Sequence, residues 1–245
     1  MNTPIGITTV KRPGVSYLND VLGQIAEIPV APPVVVAQTM PGDLDGVPNF
    51  KPPFESLPPI LGEAVECCEA RNNLRCLETN ADRLIAHLAE RHEVFLVLQD
   101  DVLAAPCAYE RINQVADWLR GQPRVAWISF YTPYGEAGAC PYSLWRYQAN
   151  HFYGDVAVLW RADAAREFLP NSRPGTAHDL MMQEWFSQPA VARRWLTFGH
   201  SPCMFQHVGV KSATNHEWRQ RTTMNFHPRR HAIKAAKPFP RLRPA

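Results

Sequence analysis

Three short stretches hold residues whose types suit chemistry. In Leu98-Gln99-Asp100-Asp101-Val102 an apolar run ends in two adjacent carboxylates. Carboxylates at the end of a buried strand are costly unless something positive neutralises them. A hard divalent cation, Mg²⁺ or Mn²⁺, would satisfy both the charge and the preference for oxygen ligands. The same pair would also serve to cap a following helix. The second stretch is Phe205-Gln206-His207-Val208-Gly209-Val210-Lys211-Ser212. Its parts suit a diphosphate cradle: His207 on a metal, a glycine allowing close backbone approach, and Lys211 and Ser212 on phosphate oxygens. A histidine beside apolar residues serves equally as a hydrogen-bonded core residue. In the third stretch, His178-Asp179-Leu180-Met181-Met182-Gln183-Glu184-Trp185, Asp179 falls at a helix start. There a carboxylate acts either as an N-cap or as a general base. Glu184 lies roughly 140° around the helix from it, so the two do not form the facing carboxylate pair of a glycosidase.

The elements that must position these residues follow from periodicity. Ile5 to Val10 is β-branched and reads as a buried strand. Ser16 caps a helix with Leu18, Val21, Leu22 and Ile25 on one face, and Val34 to Ala37 is a second strand. This β-α-β order predicts a parallel sheet. Pro41 to Pro59, rich in Pro, Gly and Asp, reads as a long loop without regular structure. A long helix from about Asn73 to Arg91 carries Asn80. Phe95 to Leu98 is the strand that delivers the carboxylates, and Pro106 suits the first turn of the next helix. Val125 to Ile128 and Gly154 to Trp160 are further strands. Residues 131–153 between them read as an aromatic-rich loop, in which Trp145, Tyr147, Phe152 and Tyr153 either stack on a sugar or fill the core. Short helices near Asp179–Phe186 and Ala190–Trp195 precede a strand at Met204 to Val208.

Composition bounds the remaining choices. With 245 residues, 46% hydrophobic and 20% charged, the chain has the makeup of an ordinary globular α/β domain. No run approaches the ~18 apolar residues of a membrane span, and the first residues lack the pattern of a secretory signal. A cytoplasmic location and free thiols are therefore expected for a chain with six cysteines and no paired Cys-x-x-Cys motifs. Net charge of +2 gives no global pull toward nucleic acid. The exception is the tail, where Arg229, Arg230, Lys234, Lys237, Arg241 and Arg243 occur without an acidic residue. It reads as a solvated arm or as a contact for an anionic partner.

Taken together, three blocks resemble the N-acetylglucosaminyltransferase IV family. Gly6-Ile7-Thr8-Thr9-Val10-Lys11-Arg12 with Ser16-Tyr17-Leu18 looks like that family's first strand and helix. Leu98-Gln99-Asp100-Asp101 is similar to its Leu-Glu-Asp-Asp segment, and Pro202-Cys203-Met204-Phe205-Gln206-His207-Val208-Gly209 to its Pro-Ser-Leu-Phe-Gln-His-Val-Gly stretch. The resemblance implies a GT-A, Rossmann-like α/β fold: a mixed, mostly parallel sheet flanked by helices, one domain over 1–226, with 227–245 as a basic tail. It implies a metal-dependent inverting glycosyltransferase that moves a sugar, GlcNAc favoured, from a UDP-sugar to an acceptor hydroxyl. Carried over by position, Asp101 and His207 would hold Mn²⁺ or Mg²⁺ and Asp179 would be the catalytic base. Asp100, Thr8, Thr9, Arg12, Asn80, Gly154, Lys211 and Ser212 would line the donor. Gln99 departs from the family's Glu, which removes one negative charge beside the metal. The family's membrane anchor and lectin-like domain have no counterpart in this sequence, so its acceptor is not inherited. Competing functions are hydrolysis of the sugar nucleotide, polyanion or nucleic-acid binding through the tail, and a non-catalytic partner protein with the same fold.

Overall fold

Side chains along a strand point alternately to the two faces of its sheet, and here both faces are covered. The computed structural model describes residues 2–10, 17–59, 70–131, 143–146, 152, 154–173 and 175–208, with backbone alone for 70–76. In chain order the elements are β1 (Ile5–Thr9), α1 (Tyr17–Ala26), β2 (Val34–Gln38), β3 (Glu55–Leu57), α2 (Ala70–Arg91), β4 (Val94–Gln99), β5 (Val102–Ala104), α3 (Ala108–Arg120), β6 (Val125–Ser129), β7 (Ser143–Arg146), β8 (Ala157–Arg161), α4 (Ala162–Phe168), α5 (His178–Ser187), α6 (Pro189–Arg194), β9 (Leu196–Ser201) and β10 (Phe205–His207). Ile5, Ile7, Val34, Val36, Leu96 and Leu98 face a layer built with Leu18, Leu22 and Ile25 of α1 and Ile112, Val115 and Leu119 of α3. The alternate residues Val35, Ala37, Phe95, Val97, Trp127 and Trp160 face the layer of α2, α4, α5 and α6.

Eight strands form one sheet in the order β3-β2-β1-β4-β8-β6-β9-β7, and β10 pairs with β5 in a small second sheet. Strands β1, β2, β3 and β4 are mutually parallel where they pair, as are β6 and β9. β8 runs antiparallel to both β4 and β6, and β7 antiparallel to β9. This is the expected mixed, mostly parallel sheet flanked by helices. Gly6 permits the closest packing: a Cβ there would come within 2.6 Å of Leu88 and 2.9 Å of Leu84 on α2.

Several local expectations are corrected. The segment from Pro41 to Pro59 does contain a strand, β3, because Val35–Ala37 of β2 offers it backbone partners whatever its side chains. Within 131–153, β7 pairs with β9, and Trp145 covers Gly199, where a Cβ would meet the indole at 2.7 Å. α3 begins at Ala108, after Pro106, with Cys107 at the N-cap. α4, β5 and β9 had no separate sequence signal. α4 follows β8 without a break, so the change from strand to helix periodicity leaves no gap. Among the described residues no helix is long and apolar enough to cross a membrane.

Candidate active site

The first part of the site grows from the carboxyl end of β4. Asp100 and Asp101 are only 3% and 4% exposed, although they lie in a turn after an apolar strand. Asp100 is held from β1: the Thr9 hydroxyl donates to its Oδ2 at 2.8 Å, and the Val10 N–H reaches the same oxygen at 3.3 Å. Thr9 is itself anchored, because the Thr39 hydroxyl donates to its carbonyl at 2.8 Å. Asn80 of α2 is wholly buried and donates to the Ala37 carbonyl at 2.7 Å and to Thr39 Oγ1 at 3.1 Å. Thr9, Thr39 and Asn80 thus form a support behind Asp100. Thr8 is half-buried, its hydroxyl 3.4 Å from the Leu98 carbonyl.

The small second sheet brings the distant histidine to the same turn. β5 leaves directly after Asp101 and pairs antiparallel with β10, placing His207 opposite Val102. The Val208 N–H donates to the Asp101 carbonyl at 2.9 Å. His207 Nε2 then lies 3.1 Å from Asp101 Oδ2, the carboxylate nearly covered and the imidazole about one-fifth exposed. One carboxylate oxygen and one imidazole nitrogen, fixed by a ladder, form a donor set suited to Mn²⁺ or Mg²⁺. Among the described residues no group of three His, Cys, Asp or Glu side chains could hold a metal. A cation on this pair would complete its shell with substrate oxygens and water, as Mg²⁺ does beside phosphates.

A second cluster surrounds the start of α5. Asp179 stands in its first turn, one position beyond the first helical residue, and Ala177 occupies the N-cap. Its Oδ2 accepts the Gly154 N–H at 3.0 Å and its Oδ1 the Leu180 N–H at 2.8 Å. Gly154 has φ +84°, and a Cβ there would meet the Tyr131 ring at 2.7 Å, so only glycine fits comfortably. Burial first, and then the Asp155 carboxylate, push Asp179 above the usual carboxylate range; the two N–H groups and His178 pull the other way. A raised proton affinity makes the ionised carboxylate a stronger proton acceptor.

His178, 3% exposed, sits between two carboxylates: Nδ1 is 3.2 Å from Asp155 Oδ2 and Nε2 is 3.5 Å from Asp82 Oδ1. Burial alone would lower its proton affinity, but Asp155 and Asp82 outweigh it and raise the imidazole to about 10. Glu78, one turn before Asp82 on α2, is pushed up to about 8 by burial first and then by Asp155, while His178 opposes the shift through its charge and its backbone N–H. Glu78, Asp82 and Asp155 were not singled out in the sequence, and His178 was named there only as the neighbour of Asp179. Their available signals were the four-residue spacing on α2 and adjacency to Gly154 and Asp179.

The structure therefore joins Asp101 with His207, Thr9 with Asp100, and Gly154 with Asp179. Glu184 is turned away, as its spacing predicts, and pairs on the surface with Arg173. Phe152 is a core residue, 2% exposed and 5.6 Å from Trp127, so it fills the core and does not stack on a sugar, while Trp145 is half-buried against the same layer. Arg12, Lys211, Ser212, Tyr147, Tyr153 and the tail at 227–245 lie outside the described residues.

No protein-family model and no curated protein matches the sequence. Solved structures similar to the chain include a glycosyltransferase involved in glycosylation of the major capsid of PBCV-1, at 14% identity and TM-score 0.46 over 87% of this chain and 95% of that one. Another is a CMP:2-keto-3-deoxy-manno-octonic acid synthetase, at 10% identity and TM-score 0.42 over 83% and 92%. A third is a cytidylyltransferase from Leptospira borgpetersenii serovar Hardjo-bovis, at 13% identity and TM-score 0.43 over 81% and 74%.

Proposed function

We propose that this chain is a metal-dependent inverting glycosyltransferase that moves a sugar, GlcNAc favoured, from a UDP-sugar to an acceptor hydroxyl. The observation that carries this reading is the 3.1 Å approach of His207 to Asp101 beside the buried Asp100. In this reading Asp101 and His207 hold Mn²⁺ or Mg²⁺, Thr8 and Arg12 lie toward the nucleotide, and Thr9 and Asn80 act from behind by holding Asp100 in place. A divalent cation there stabilises the charge that develops on the departing diphosphate.

The chain's own residues supply the rest. Asp100, fixed by Thr9 and Val10, faces the ribose and diphosphate. Lys211 and Ser212 bind phosphate oxygens. Asp179 takes the proton of the acceptor hydroxyl as its oxygen bonds to C1 and the C1–diphosphate bond breaks on the opposite face, which inverts C1. The Gly154 N–H keeps one Asp179 oxygen in place during the step. An acceptor bearing phosphate or carboxylate would meet Arg229, Arg230 and Lys234 if the tail folds near the site.

The test is a donor screen with several UDP-sugars and Mn²⁺, scored by UDP release with and without acceptor hydroxyls and by protection against thermal unfolding. Metal-dependent protection by UDP, with acceptor-dependent UDP release from one sugar donor, is the expected result. Failure of every UDP-sugar to protect the protein in Mn²⁺ overturns the reading. Fast UDP release without any acceptor replaces transfer with hydrolysis.

A further inference from the structure

We propose that Gln99 and His178 are positioning residues: the chain Gln99–Asp155–His178–Asp82 ties the turn of Asp100 and Asp101 to the start of α5 and so fixes Asp179 against Gly154. The catalytic purpose of this chain rests on the reading of Asp179 as the base.

The first link is a hydrogen bond, and the next two are close charge contacts of the His178 ring with the carboxylates on either side of it. Gln99 Nε2 donates to Asp155 Oδ1 at 2.9 Å. The other oxygen of Asp155 faces His178 Nδ1 at 3.2 Å, and the opposite ring nitrogen faces Asp82 Oδ1 at 3.5 Å. Asp82 Oδ2 accepts the Ser172 hydroxyl. An imidazole with a carboxylate oxygen facing each ring nitrogen is stabilised in its charged form. The charged or titratable groups around it are Glu78 and Asp82 from α2, Asp155 from the loop before β8, and Asp179 from α5. α4 offers only the Phe168 ring, meeting the imidazole edge-on at 5.2 Å.

This arrangement favours an amide over a carboxylate at position 99. A carboxylate at position 99 would face Asp155 Oδ1 at hydrogen-bond distance with no proton between them, placing like charges in contact. Gln99 is thus matched to Asp155 and not merely a charge lost beside the metal. The backbone reinforces the link, since the Gln99 N–H donates to the Val156 carbonyl at 3.0 Å. Residues 154–156 are therefore pinned to the end of β4, and the Gly154 N–H is aimed at Asp179 by the same pinning. The positive charge of His178 also restrains the proton affinity of Asp179.

A charge swap tests the chain. Gln99→Glu alone is expected to lower the unfolding temperature, with no ligand present. Adding Asp155→Asn should restore it, because the amide at 155 then donates to the carboxylate at 99 while its oxygen still faces the His178 ring. Turnover with the donor identified in the screen should fall about 10–100-fold in Gln99→Glu, as for other residues that orient a working group, with the donor KM nearly unchanged. The swap should recover most of that loss. In His178→Gln the acid limb of the kcat–pH profile should move to higher pH. Unchanged unfolding temperature in Gln99→Glu, or a swap no better than Gln99→Glu, overturns the chain. If UDP with Mn²⁺ fails to protect wild type, the transferase reading falls with the chain's catalytic purpose, while the unfolding measurements still decide the chain itself.

Discussion

Glu78→Gln should make the protein more stable at neutral pH, against the general trend that replacing a buried charged residue does harm. Glu78 is 7% exposed, and its Oε2 has no hydrogen-bond partner among the described residues. Burial, and after it Asp155, raises the carboxyl from 4.5 to about 8. Below pH 4.5 the residue is protonated whether the chain is folded or not, so it costs nothing. As pH rises toward 8 the unfolded chain ionises it freely while the folded chain retains the proton, and stability falls by roughly 1.4 kcal/mol per pH unit. Over the whole window the loss is roughly 3–5 kcal/mol, after which it levels off. Glutamine imitates the protonated acid and keeps an acceptor for the His178 N–H. At about 2–4 °C per kcal/mol for a chain of this size, the variant and wild type should unfold at similar temperatures at pH 4.5 and diverge by on the order of 10 °C by pH 8. Thermal unfolding of both proteins at half-unit pH steps reads this directly. Parallel curves for the two proteins across pH 4.5–8 would refute the argument that Glu78 is buried with its proton.

Asp179→Asn should keep UDP binding and lose about 10²–10⁴ of turnover, with an unfolding temperature equal to or above wild type because a disfavoured charge is removed; full turnover removes Asp179 as the base. His207→Ala should abolish the Mn²⁺ dependence of protection by UDP, and protection that remains equally metal-dependent separates His207 from the cation. Gly6→Ala should destabilise by about 1–3 kcal/mol through overpacking, since the added methyl meets Leu88 and Leu84 on α2; an unchanged denaturant midpoint would mean that α2 shifts freely.

The carboxylate turn after β4 and the strand carrying His207 were legible in the sequence because both are local. An apolar run ending in Asp100-Asp101 reads as a strand delivering charge to a sheet edge, and Phe205 to His207 repeats the strand pattern. The alternation that builds two layers was legible for the same reason, as was α1 with its face of Leu18, Val21, Leu22 and Ile25. The strands β3, β5 and β7 were not. They are short and pair with partners already in place, so their hydrogen bonds come from neighbours and not from their own side chains.

What the sequence alone determined is therefore the set of elements with their own periodicity and the chemical types they carry. Tertiary structure decided which types meet. The antiparallel pairing of β5 with β10 set His207 against Asp101. The antiparallel pairing of β4 with β8 gave Gln99 the Asp155 carboxylate to hold, and the approach of His178 to α2 set its ring between Asp155 and Asp82. A carboxyl or imidazole titrates according to burial and to the charges within a few ångströms, and neither quantity exists until segments far apart along the chain are packed together.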